Sequence, residues 1–162
     1  MGDVTYFRYK EKPYYICVII DLFSRKVVGY KISFKNSTQL VKSTFKLAYE
    51  DRKPQGNLIF HSDRGATYRS NTFCDYLEKL HVQKSFSRVH IPYDNSVVET
   101  FFSSIKREEL YQTKFRSENK FQKAVDDYII FYDTKRPHAK MKYKILEQVE
   151  ADFTSNHQIF AV

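Results

Sequence analysis

The chain is poor in the residues that build cross-linked, repetitive or membrane-spanning proteins. Its 162 residues include two cysteines, four glycines and four prolines. Cys17 and Cys74 are too few for a disulfide framework or a four-thiolate zinc site, and they read as small buried apolar residues. With so little glycine and proline, no tract of like residues and no repeat at a fixed period, collagen-like, linker-rich and solenoid designs are excluded. No apolar run reaches the roughly 18 residues of a membrane-spanning helix, and no signal peptide is visible. What the chain has in quantity is apolar and basic material. Hydrophobic residues make up 42%, enough for a sizeable core in one domain of this length. Lys and Arg number 27 against 19 Asp and Glu, a net charge of +8, which suits an anionic partner, nucleic acid first. A soluble, intracellular, basic globular domain is expected.

Hydrophobic patterning divides the chain. Aromatic and β-branched runs over 3–10 and 14–22 predict two strands joined at Lys12-Pro13. Ser24-Arg25-Lys26 reads as a turn and 27–33 as a third strand, completing an antiparallel meander. Asn36-Ser37-Thr38 supply caps for a helix in which Leu40, Val41, Thr44, Phe45, Leu47 and Ala48 recur at helical spacing until Pro54-Gln55-Gly56. Residues 57–62 then form a buried strand reached by a crossover, with Asp63 at its C-terminal end. A helix over 71–80, a strand over 82–87, a loop over 88–94, helices over 96–111 and 118–132, and a short helix with a frayed end after Pro137 follow. Three strands, helix, strand, helix, strand is an α/β order, in a single domain spanning 1–162.

Three acidic residues sit in apolar segments: Asp3, Asp63 and Glu99. Taken singly, each is a strand-end or helix-surface acid facing water, the ordinary place for Asp and Glu. Taken together, they form a set of oxygen donors whose placement beside core positions is costly unless they are paired or bound to a hard cation such as Mg²⁺. Asp63 and Glu99 have 35 residues between them, within His61-Ser62-Asp63-Arg64-Gly65 and Tyr93-Asp94-Asn95-Ser96-Val97-Val98-Glu99.

These segments resemble the catalytic core of insertion-sequence transposases in the retroviral-integrase (DDE) superfamily, whose Asp, Asp, Glu triad has this last spacing. The resemblance extends to Asp21-Leu22-Phe23-Ser24-Arg25-Lys26-Val27-Val28-Gly29, to Phe101-Phe102-Ser103-Ser104-Ile105-Lys106-Arg107-Glu108, and to Tyr132-Asp133-Thr134-Lys135-Arg136-Pro137-His138, nearly the whole chain. It implies a ribonuclease-H-like fold, a five-stranded mixed sheet flanked by helices. The first and fourth strands would then lie side by side, so that Asp3 and Asp63 converge, and the helix of Glu99 would bring the third carboxylate. The implied activity is metal-dependent DNA strand cleavage and strand transfer in transposition. Two Mg²⁺ ions about 3.5–4 Å apart, replaceable by Mn²⁺, would activate the attacking oxygen and stabilise the leaving 3′-oxygen. Asp3 is expected to serve both ions, Asp63 one and Glu99 the other, with water attacking in cleavage and a DNA 3′-hydroxyl in joining. Transposon ends and target DNA are the implied partners, a homo-oligomer on DNA the implied assembly, and the bacterial cytoplasm, at the nucleoid, the implied location. The family's upstream helix-turn-helix region has no counterpart before Asp3, so a catalytic core alone is expected. Two other readings stay open at this point: a DNA-binding transposase remnant without chemistry, and a ribonuclease-H-type nuclease.

Helical spacing puts Asn95 and Lys106 on the face of Glu99, with Ser103 nearby. Lys106 and Arg107 either hold a DNA phosphate beside the metal site or form a solvated pair, and Asn95, also counted among the DNA-binding candidates, either orients Glu99 or caps its helix. His61 shares the strand face of Asp63, which makes it a secondary candidate ligand. Arg64 opens a loop where it contacts DNA or pairs with an acid, and Gly65 permits close approach. Lys135 and Arg136, presented at a helix end stopped by Pro137, are further phosphate candidates. Asp21 also follows an apolar strand, but it matches a non-catalytic segment of the family and is expected to shape a turn or pair with Arg25. The many Tyr and Phe residues are expected to be mainly core.

Overall fold

The computed structural model describes residues 1–88 and 92–158; the middle of the expected 88–94 loop and the last four residues of the expected frayed tail lie outside them. Strands β1 (Gly2–Tyr9), β2 (Lys12–Ile20) and β3 (Val27–Ser33) pair antiparallel in sequence order. The connection between β1 and β2 is Lys10-Glu11, at φ 46° and 63°, rather than Lys12-Pro13, whose residues already belong to β2. A two-residue hairpin with both central residues left-handed matches the twist of its strands and is normally advertised by Asn-Gly; here no glycine marks it. Pro13 is tolerated because β3 ends at Ser33 opposite Tyr15, leaving β2 a neighbour on one side only at that point.

Helix α1 (Thr38–Arg52) follows, with the Ser37 hydroxyl accepting from Leu40 N at 3.2 Å. It returns the chain to β4 (Ile59–Ser62), which lies parallel to β1, and α2 (Asn71–Lys79) leads to β5 (Gln83–Phe86), parallel to β4. The sheet order is β3-β2-β1-β4-β5, a five-stranded mixed sheet with the first and fourth strands adjacent as expected. A short 3₁₀ turn (Pro92–Asn95) precedes α3 (Ser96–Ile105), which runs on into a π-helical turn over Lys106–Leu110; α4 (Glu118–Thr134) and α5 (Leu146–Gln158) complete the chain.

Strand β2 is buried on both faces and feeds two cores. Ile16, Val18 and Ile20 pack with Val98, Phe101 and Ile105 of α3 and Phe121 and Val125 of α4; Cys17 and Ile19 pack with Val41 and Phe45 of α1, Phe60 of β4, and Phe73 and Leu77 of α2. Full burial of side chains of this size stabilises by about 1.5–3 kcal/mol each, so both faces of the sheet anchor the elements that carry the acids. Among the described residues no helix is long and apolar enough to cross a membrane.

Candidate active site

The site forms where β1 and β4 meet. Gly2 lies opposite Ser62, so the following residues, Asp3 and Asp63, are neighbours along the parallel pair. Asp3 is half-buried and its Oδ1 accepts from Val4 N at 2.7 Å. Burial pushes its carboxyl up to about 6 against the opposing effect of that backbone bond; the charges of Asp63 and Glu99 push the same way, and Lys106 opposes them. The charges of Asp63 and Glu99 thus both reach Asp3, although the three acids come from three separate elements. Asp63 stands just past the end of β4, where its Oδ1 accepts from Gly65 N at 2.9 Å. A Cβ at residue 65 would come within 3.0 Å of that same oxygen, so glycine keeps the carboxylate's space open. Glu99 is exposed in the first turn of α3, where the helix dipole favours a negative charge.

Among the described residues no three His, Cys, Asp or Glu side chains are gathered tightly enough to hold a metal ion. The donor set still fits a hard divalent ion: it is all oxygen, and the half-buried Asp3 carries a desolvation cost that a bound cation offsets.

Lys106 ends α3 and reaches back to β1. Its Nζ donates to Thr5 Oγ1 at 2.6 Å and lies 5.8 Å from the Tyr6 ring centroid. Burial lowers its pKa while Asp3 pulls it up, which places the ammonium beside Asp3. Neither Thr5 nor Tyr6 was identifiable from the sequence; alternation along β1 puts Asp3 and Thr5 on one face, and that is the signal that could have found Thr5. Arg107 and Lys135 are exposed, Arg107 with a 3.7 Å contact to Glu108. Arg136 is committed to Glu108 through two bonds, Nε to Oε2 at 2.9 Å and Nη2 to Oε1 at 2.7 Å, and the Tyr128 hydroxyl donates to the same carboxylate at 2.8 Å.

Ser87, just past β5, is a junction that the sequence did not reveal. Its carbonyl accepts from Arg64 Nε at 3.0 Å, its N donates to Ser62 O, and its Oγ meets Asn95 Oδ1 at 3.1 Å and His61 Nε2 at 3.2 Å. The Ser87 proton goes to the Asn95 or Ser62 oxygen, so Oγ accepts from His61 Nε2–H, and Nδ1 then accepts from Ser85 at 2.8 Å. Both ring nitrogens are thus engaged, and burial keeps the imidazole pKa low, so His61 braces β4 against β5 instead of offering a lone pair to a metal. Asn95 makes no side-chain cap bond; it is buried and ties the start of α3 to Ser87, which fixes the helix of Glu99 relative to the sheet. The Tyr93 side chain lies outside what the structure describes.

Asp21 shapes a turn as expected, its Oδ1 accepting from Phe23 N at 2.7 Å and Ser24 N at 3.3 Å. Its cationic partner is Arg52 at 3.5 Å, not Arg25.

Comparison with known proteins bears on the family and the fold. The integrase core domain family matches residues 1–92, and a second integrase core domain description matches residues 80–145. The transposase for insertion sequence element IS904 of Lactococcus lactis subsp. lactis (strain IL1403) is 37% identical over 145 residues, covering 89% of this chain and 57% of that protein. The transposase InsF for insertion sequence IS3A of Escherichia coli (strain K12) is 37% identical over 128 residues, covering 79% and 44%. The chain thus spans about half the length of the curated relatives it matches. Among solved structures, a chain of the simian T-cell lymphotropic virus intasome superposes with a TM-score of 0.76 at 20% identity, over 91% of this chain and 52% of that one. The HTLV-2 integrase catalytic core domain, solved in complex with magnesium, gives 0.72 at 20% identity over 91% and 92%. These likenesses are ones of fold, and with the observed sheet they identify it as ribonuclease-H-like. The chain belongs to the integrase core domain family, among the insertion-sequence transposases of the integrase superfamily.

Proposed function

We propose that this domain cuts and joins DNA strands in transposition, with Asp3, Asp63 and Glu99 as its catalytic carboxylates. The observation that carries the reading is the meeting of β1 and β4: the Gly2–Ser62 register makes neighbours of Asp3 and Asp63, and the charges of Asp63 and Glu99 both reach the half-buried Asp3, a cost that a divalent cation at the site removes. The three side chains would hold two Mg²⁺ ions, with Asp3 serving both, and bound metal of this kind supplies the charge that activates an attacking oxygen and stabilises a leaving 3′-oxygen. Mn²⁺, which takes the same oxygen donors, would substitute. The magnesium complex of the HTLV-2 integrase core supports the choice of ion.

The chain's own residues divide the remaining work. Asp63 is kept open by Gly65 and oriented by its N–H. Lys106, anchored on Thr5, brings a cation beside Asp3, where it balances carboxylate charge and meets the phosphate of an incoming strand. Arg64, Arg107 and Lys135 present exposed cations for the DNA backbone, while Asn95 holds the helix of Glu99 in place. Transposon ends and target DNA are the proposed substrates, in the cytoplasm of a bacterium at its nucleoid. Assembly of several copies on DNA is supported by the dimeric and trimeric forms of the HTLV-2 core.

The test is nicking of a labelled transposon-end duplex in Mg²⁺, with an RNA–DNA hybrid alongside. Cleavage of the DNA duplex by wild type, lost in Glu99→Gln while DNA retention persists, supports the reading. Preferential cleavage of the hybrid would make the domain a ribonuclease-H-type nuclease, and full activity of Glu99→Gln would refute the assignment of the triad.

A further inference from the structure

On the side of α3 away from β1, a cavity of about 250 Å³ opens between the turn after β2, the helix and the segment after α4. Its walls carry four cations, Arg25, Arg107, Arg136 and Lys140, together with the hydroxyls of Thr100 and Ser104, and among the described residues no carboxylate lines it. Glu108 lies behind the wall, where it fixes Arg136 and touches Arg107. Arg25 is the informative member. Its backbone is left-handed at φ 67°, a conformation unfavourable for a residue with a Cβ, and its Nε is buried with no hydrogen-bond partner. The backbone cost is met by the turn it closes, where Arg25 N donates to Asp21 O at 2.8 Å and Asp21 N to Lys26 O at 3.0 Å; the unpartnered Nε has no such return. Arg25 and Arg136 both stand near enough to the Tyr132 hydroxyl to oppose the effect of burial on it, so the two guanidiniums converge on the same wall.

We infer that this cavity is a binding site for a phosphate group. Guanidinium forks match the oxygen geometry of a phosphate, hydroxyls supply the remaining donors, and an anion there gives the buried Arg25 Nε the acceptor it lacks. At about 30 Å³ of liquid volume per water, the cavity has room for a hydrated or a bare anion. Position adds to the chemistry. At about 100° per residue the cavity face of α3, with Thr100, Ser104 and Arg107, lies roughly a quarter turn from the face of Glu99, Ser103 and Lys106. A strand presented to the carboxylates can therefore leave one of its phosphates in the cavity on the flank of the same helix. The site deepens the proposed DNA chemistry only in the source of its phosphate; as an anion site it stands without that reading.

Two measurements in EDTA test it, so that neither depends on cleavage. In the first, thermal melting is followed in millimolar inorganic phosphate against chloride of equal ionic strength. Phosphate is expected to raise the melting temperature of wild type and to leave Arg25→Gln unchanged. In the second, anisotropy of a labelled DNA duplex over a salt series gives the slope of log K against log salt, expected to fall by about one in Arg25→Gln. Protection by phosphate with an unchanged slope supports the site and makes free phosphate, not the DNA backbone, its ligand. Wild type that phosphate stabilises no more than chloride does, or equal protection of both chains, overturns the proposal. A wild type that phosphate leaves unprotected overturns the proposal without any variant, and if Arg25→Gln does not fold, Lys140→Gln on the same wall takes its place in both comparisons.

Discussion

Gly2 and Ser62 face each other across the parallel pairing of β1 with β4, and this single register point makes neighbours of Asp3 and Asp63, residues 60 positions apart in the chain. A slip of one residue would turn each side chain to the opposite face of the sheet, so the acid pair depends on this register. The glycine is part of the reason the strands fit: a Cβ at residue 2 would lie 2.6 Å from Phe60 Cζ, and Phe60 is buried among Phe45, Tyr68 and Phe73.

Gly2→Ala is therefore expected to destabilise by about 1–3 kcal/mol, the usual cost of forcing extra volume into a packed core. It should also lower metal affinity beyond what the fold loses, because β1 and β4 must shift to make room. Denaturant unfolding paired with Mg²⁺ titration checks both; a variant with wild-type stability would show that the ring gives way freely.

Asp3 sets a pH dependence. Its folded pKa of about 6 lies above the ordinary aspartate value of 3.8, so the folded state holds the proton more tightly, and stability falls as pH rises between these values. Asp133, pushed up to about 7 mainly by burial, titrates in an overlapping window, so the comparison is with Asp3→Asn. That variant should melt roughly 2–5 °C higher than wild type at neutral pH without metal, with the difference vanishing below about pH 4. Saturating Mg²⁺ should stabilise wild type alone. Melting curves against pH, with and without Mg²⁺, give the answer.

Lys106 lowers the Asp3 pKa by its charge. Lys106→Met should raise that pKa further and move the acid limb of Mg²⁺ binding to higher pH, whereas Lys106→Arg should hold it near wild type. An unchanged limb in Lys106→Met would leave Lys106 as a DNA contact without influence on the acids. Calorimetric Mg²⁺ titrations at several pH values distinguish the outcomes.

Arg136 and Lys135 are adjacent in sequence and differ in consequence. Arg136→Ala breaks a two-bond contact to Glu108 that is about three-quarters shielded from solvent, and should cost about 1–2 kcal/mol of stability. Lys135→Ala, at an exposed position, should leave stability within about 0.5 kcal/mol and weaken DNA binding. Unfolding and anisotropy on the two variants separate the effects.

The residues that were hardest to read show why sequence reasoning stops where it does. Element types followed from periodicity because each face of the sheet has its own apolar set, and the Asp63 to Glu99 spacing drew attention to the acids. The Lys10-Glu11 hairpin was missed because its left-handed pair contains neither Asn nor Gly. Helical spacing put Lys106 on the face of Glu99, but its anchorage on Thr5 is a contact across 101 positions that no local pattern encodes. The contact of Arg136 with Glu108, 28 positions earlier, was hidden for the same reason, since it forms only in the folded chain. Asn95 stands where a cap belongs, yet Ser87 holds it, because the end of β5 comes within hydrogen-bond reach of the start of α3.

The most direct test is calorimetric titration of Mg²⁺ and Mn²⁺ into wild type and Asp63→Asn, followed on the same samples by nicking of labelled DNA. Wild type is predicted to bind either metal and cut, and Asp63→Asn to bind at least tenfold more weakly and lose cutting while still retaining DNA. Equal metal binding and equal nicking by the two chains would contradict the assignment of Asp3, Asp63 and Glu99 as one catalytic centre.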